Sequence, residues 1–130
     1  MDTLDGFFEQ GETALSDQFL SDGYVILPVE NAAGLGRIRD SAALLASEHL
    51  GITAPAAAGS FLDDIADHIS VDTLNDLRLA VIAGLNNQAW LRATYFSLAR
   101  NALRTLVGNE LAMQRRINLS IQLPHDASSL

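Results

Sequence analysis

The chain has 130 residues and a mass of 14.0 kDa, enough for one domain with one buried core. Apolar residues make up 48% and the mean hydropathy is +0.16, which excludes a disordered chain. Eight basic residues, every one an arginine, stand against sixteen acidic ones, for a net charge of −8; no nucleic-acid or anionic-membrane partner is expected of such a balance.

The absence of cysteine excludes disulfides, thiolate zinc sites and cysteine nucleophiles. The start Met1-Asp2-Thr3-Leu4-Asp5 lacks the positive charge and apolar run of a secretory signal. No stretch approaches the ~18–20 apolar residues of a membrane span. A cytoplasmic location is the expectation.

In chain order, residues 12–21 read as a short helix with Leu15 and Phe19 on one side and Gly23 as its stop. Tyr24-Val25-Ile26-Leu27, closed by Pro28, reads as a short buried strand. Asn31 can cap a helix to about Leu50, with Leu35, Ile38, Ala42 and Leu45 as its apolar stripe and Gly51 as its end. Residues 54–60, small and broken by Pro55 and Gly59, read as a loop. Ser60 can cap a second helix with Phe61, Leu62, Ile65 and Ile69 inward. Asp72 can cap a third with Leu74, Leu77, Val81 and Leu85, and Gly84 with Asn86-Asn87 suggests a break or kink in it. A fourth, apolar on most sides, runs from about Gln88 to Val107 and stops at Gly108-Asn109.

The period then changes. From Arg116 to Leu123 the chain alternates, with Ile117, Leu119, Ile121 and Leu123 on one side and Arg116, Asn118, Ser120 and Gln122 on the other. This is the clearest strand pattern in the sequence, and Pro124 closes it. The two strand patterns lie far apart in sequence, and two strands alone do not make an independent sheet.

Phe19-Leu20-Ser21-Asp22-Gly23-Tyr24-Val25-Ile26-Leu27 resembles the opening of phytanoyl-CoA dioxygenase-like proteins. Asn118-Leu119-Ser120-Ile121-Gln122-Leu123-Pro124, with Asp126 and Ser128-Ser129-Leu130, resembles the strand that leads into the iron motif in a bacterial carbohydrate-cluster subgroup of these Fe(II)/2-oxoglutarate oxygenases. The resemblance spans most of this chain but only the N-terminal half of the family's length. It implies an α+β chain, a single partial domain over 1–130. A helical region over about 1–108 would precede the first core strand, about 115–123, of an incomplete double-stranded β-helix (cupin-like) fold. A complete two-sheet jelly roll needs about eight strands.

The family holds iron through two histidines and a carboxylate, two of them in a His-x-Asp motif. Here His49, His68 and His125 each lack an aspartate two residues on. The resemblance therefore implies the N-terminal part of a dioxygenase acting on a small or carbohydrate-linked substrate, inactive alone. Fe(II) and 2-oxoglutarate belong to the full-length family and not to this chain by itself. Arg116, Asn118 and Gln122 are the candidate cofactor- or substrate-facing residues. Their face lines a barrel cavity or forms an exterior polar surface, and the sequence leaves both open.

Other constellations have plainer readings. His125-Asp126 would be a poor chelate, because adjacent strand residues point to opposite faces. Asp63, Asp64 and Asp67 with His68 offer a divalent-ion reading, Asp64 and His68 being four apart on one face, but the plainer reading is of acids in a first turn favouring the helix dipole. Gln88, Arg92, Arg100 and Arg104 read as the solvated edge of a buried helix or as a partner groove. Gly34-Leu35-Gly36 is no phosphate loop and no Gly-x-Ser-x-Gly elbow exists. The alternative to the oxygenase is a free-standing helical interaction module. The expected partner is the missing C-terminal half on the oxygenase reading, or a self-association partner through the 115–123 strand on the module reading.

Overall fold

A computed structural model describes residues 10–53, 57–108 and 111–124. Its elements are α1 (Gln10–Asp22), α2 (Ala32–Leu50), α3 (Ala58–Asp63), a 3-10 turn (Ile65–Asp67), α4 (Val71–Asn86), α5 (Leu91–Ser97) and α6 (Arg100–Val107). The long helix α2 is the hub: α3, α4 and α5 all pack against it, while α1 packs against α6.

Asn31 starts α2 as expected, its Oδ1 accepting from the Gly34 N–H at 2.8 Å, and Gly51 ends it in the left-handed region at φ 66°. Three small residues of α2, Ala43, Ala46 and Ser47, are buried, and Leu45 meets α4 at Gly84. A Cβ on Gly84 of α4 would lie 2.5 Å from Leu45 Cδ2. The core gathers Ala43, Ala46, Phe61, Leu77, Val81, Leu85 and Leu91. Burial of these side chains is the main term favouring the fold.

Four sequence expectations need correction. The first is the fold class. Among the described residues all regular structure is helical and there is no strand, so the α+β reading with strands of a double-stranded β-helix does not hold. Tyr24–Leu27 and Arg116–Leu123 have strand composition, but a strand exists only as one side of a ladder. Among the described residues neither segment has a backbone partner.

The second is the long helix over 88–107, which is two helices. Its ladder breaks where residues 30 and 31 intrude. The Leu98 carbonyl accepts from the Glu30 N–H at 3.0 Å, and the Glu30 carboxylate takes the N–H groups of Asn101 and Ala102 at 2.9–3.0 Å. Asn31 Nδ2 donates to Ser97 Oγ at 2.8 Å on the same side. A remote acid thus replaces an intrahelical acceptor and starts α6.

Third, the cap of α4 is Ser70 and not Asp72. The Ser70 N–H donates to Thr73 Oγ1 at 3.1 Å, and Asp72 sits in the first turn, where its charge suits the helix dipole. Of the break or kink expected at Gly84 and Asn86-Asn87, Gly84 makes no break, while α4 does end at Asn86 with Asn87 as its cap. Fourth, the helix expected from Ser60 is a short α3 followed by the 3-10 turn, parted at Asp64.

Candidate strand-docking ledge

Residues 111–124 lie along the helices without regular structure, with a bend at Arg115 and Arg116. The alternation read from the sequence is present as burial: Ile117, Leu119 and Ile121 pack against the core, Leu123 is buried, and Arg116, Asn118, Ser120 and Gln122 are exposed. The segment behaves as a single strand laid on a helical surface.

Side chains hold one edge of it. Asn86, the last residue of α4, donates from Nδ2 to the Ile117 carbonyl at 2.8 Å, and its Oδ1 accepts from the Ile117 N–H at 2.8 Å. One carboxamide thereby does what a neighbouring strand's peptide group would do. Nδ2 also donates to the Ile82 carbonyl at 2.8 Å, which fixes the amide's orientation. About two helical turns back, Arg78 Nη1 reaches the Leu119 carbonyl at 3.5 Å, while its Nε and Nη2 donate to Asn75 Oδ1 at 3.3 and 3.0 Å. Arg92 Nη2 steadies the approach by donating to the Met113 carbonyl at 3.2 Å.

In an extended chain the N–H and C=O of one residue point to the same edge, and alternate residues point to opposite edges. Asn86 and Arg78 serve the odd-numbered residues. The groups of Asn118, Ser120 and Gln122 face the other edge, and no hydrogen bond to them exists among the described residues. These groups form an unpaired main-chain edge on a segment with strand-like alternation, the kind of edge that can take up a strand.

The three candidate site residues lie on this ledge. Asn118 Oδ1 turns back to accept from the Leu119 N–H at 3.0 Å, so its side chain braces the strand rather than reaching out. Arg116 and Gln122 are exposed. Two of the clefts on the surface include none of the three.

One cleft, of about 720 Å³, is apolar and lies between α5, α6 and residues 111–113 with Arg92 at its wall. The other, of about 560 Å³, holds Glu12, Glu30 and Arg104. The arginine stripe is therefore not continuous: the break between α5 and α6 sends Arg92 to one cleft and Arg104 to the other. Glu30 is held below its ordinary value of 4.5, first by the hydrogen bond from the Asn101 N–H, then by that from Ala102.

No group of three His, Cys, Asp or Glu side chains suited to a metal ion occurs among the described residues. Asp63, Asp64, Asp67 and His68 are all exposed, and the His68 ring stacks at a tilt on Phe61, centroids 5.4 Å apart. His125-Asp126 lies outside the described residues. Among the described residues no helix is long and apolar enough to cross a membrane.

Sequence reasoning missed Asn86 and Arg78 as partners of the strand. Asn86 sits four residues after Ile82 and beside Leu85, at the margin of an apolar stripe. A carboxamide at that place signals a buried main-chain partner as well as a helix end. Comparison with family models, with curated proteins and with solved structures finds no match to the chain.

Proposed function

We propose that the chain is a helical platform that binds an extended segment by strand addition to residues 116–123. One observation carries this reading: side chains of α4 satisfy one edge of the segment, and the groups of Asn118, Ser120 and Gln122 on the other edge are unused. Edge recognition uses main-chain bonds and so tolerates varied partner sequences, with specificity left to alternate side chains. The Asn86 clamp adds pre-organisation, because the ledge is already held at Ile117 before a partner arrives.

The test is amide exchange by NMR with a synthetic alternating valine–threonine peptide. Binding should protect the Asn118, Ser120 and Gln122 N–H groups and leave Ile117 unchanged, since Asn86 already protects it. A peptide N-methylated on its pairing edge should not protect them. Protection elsewhere, or unchanged exchange at saturating peptide, would overturn the reading.

A second reading gives the platform a larger setting, the N-terminal part of an Fe(II)/2-oxoglutarate oxygenase. What favours it is that residues 24–27 and 118–123, parts of the two stretches that carry the resemblance, keep unused main-chain groups among the described residues. The described residues do not fit an iron site. In this setting the added strands supply the His-x-Asp motif, the second histidine and the arginine for 2-oxoglutarate. Succinate formation by the 130-residue chain with Fe(II) and 2-oxoglutarate would overturn it. An in-frame His-x-Asp in the coding sequence past the codon for Leu130 would support it.

A further inference from the structure

We infer that the strand received by the ledge is residues 24–29 of a second copy of this chain. The inference rests on the ledge reading and names its partner.

The segment between α1 and α2 is the other piece of this molecule with strand composition and no ladder. Tyr24 is 63% and Ile26 86% exposed, large apolar side chains left in water. From Tyr24 to Val29 the main chain makes no hydrogen bond among the described residues; the bonds on either side, Gly23 N–H to Phe19 and Glu30 N–H to Leu98, mark its ends. An apolar, β-branched and aromatic stretch with both edges open is what a strand edge accepts.

Charge agrees. The segment ends at Glu30, while the ledge begins with Arg115 and Arg116, two of only eight bases in a chain of net charge −8. Opposite flanks favour docking of one on the other.

Chemistry also selects a register. Pro28 has no N–H, so pairing through the even residues would lose a bond, whereas Val25, Leu27 and Val29 all donate. Antiparallel pairing of these three with Gln122, Ser120 and Asn118 gives a full set of bonds. It also places Ile26 beside Ile121 and Tyr24 beside Leu123 on the inner, apolar face. The two most exposed side chains of the segment are then the ones covered. The Glu30 end comes to the Arg116 end.

The chain has no cysteine, so engineered thiols report the contact without background. Leu27→Cys and Ser120→Cys sit on opposite members of a hydrogen-bonded pair, with Cα atoms about 5.5 Å apart and thus within disulfide reach. Each single variant is oxidised alone and in a mixture with the other. The mixture should give a covalent dimer at twice the 14.0 kDa chain mass, and each variant alone should give little. Val25→Cys with Gln122→Cys should link equally well, and Leu27→Cys with Asn118→Cys, two residues out of register, several-fold less.

A dimer from Ser120→Cys alone at the yield of the mixture would mean that two ledges pair with each other, and would overturn the inference. So would an internal link in the double variant Leu27→Cys/Ser120→Cys, or no link in either in-register mixture. Protection of Asn118, Ser120 and Gln122 by the valine–threonine peptide, alongside any of those results, would leave the ledge standing and remove only its proposed partner. Circular dichroism of each variant checks that helix content is kept.

Discussion

The Asn86 carboxamide grips Ile117 by both of its main-chain groups, at 2.8 Å each, across 31 residues of sequence. It joins the end of α4 to the alternating segment and decides which main-chain edge is taken and which is left.

Asn86→Ala should cost about 1–3 kcal/mol, because it leaves partly buried main-chain groups without partners. Asn86→Asp should fall between wild type and alanine, since a carboxylate can accept from the Ile117 N–H but cannot donate to its carbonyl. Urea denaturation gives the free energies. Faster exchange of the Ile117 amide in both variants would tie the loss to this contact.

Glu30 links pH to the start of α6. Its carboxylate accepts from Asn101 and Ala102, which holds its pKa below the ordinary 4.5. A folded pKa below the unfolded one stabilises the fold above the unfolded value, and that contribution is lost as the pH falls through the lower, folded value. Thermal melts between about pH 3 and pH 7 should show this acid-side loss in wild type. Glu30→Gln should melt lower at neutral pH and lose less on acidification. Equal slopes in the two proteins would contradict the role.

Two glycines should respond in opposite directions to alanine. Gly84→Ala places a Cβ against Leu45 Cδ2 and Cδ1, at 2.5 and 2.8 Å, in the α2–α4 seam. Overpacking there should cost about 1–3 kcal/mol, outweighing a helix-propensity gain of about 1 kcal/mol. Gly36→Ala, within α2 with no atom within 4 Å of the new Cβ, should stabilise by about 0.5–1 kcal/mol. Chemical denaturation of the pair reads both signs.

Leu77→Ala removes a side chain that is 1% exposed at the centre of the core. It should cost about 2–5 kcal/mol, the usual range for a buried leucine. Val71→Ala, at an exposed position of the same helix, should change stability by less than about 0.5 kcal/mol. Comparable losses in the two would mean that α4 is not packed as described.

The periodic parts of this molecule were legible from the residues alone. The Asn31 cap and Gly51 stop of α2, the inward Leu77, Val81 and Leu85 of α4, and the in-out alternation of Arg116–Leu123 are present as read, whereas α2 buries Ala43, Ala46 and Ser47 and leaves its expected stripe of Leu35, Ile38, Ala42 and Leu45 half-buried. Each depends on side-chain spacing within one segment, and spacing is local information.

What only the tertiary structure decided were matters of pairing. Whether Arg116–Leu123 is a strand depends on a second strand, and the described chain meets it with Asn86 and Arg78 instead. Whether residues 88–107 form one helix depends on Glu30, which sits 71 residues before the Asn101 N–H it accepts from. A backbone group takes whichever partner the fold brings within reach, and that choice is made in space between segments that carry no mark of each other in sequence.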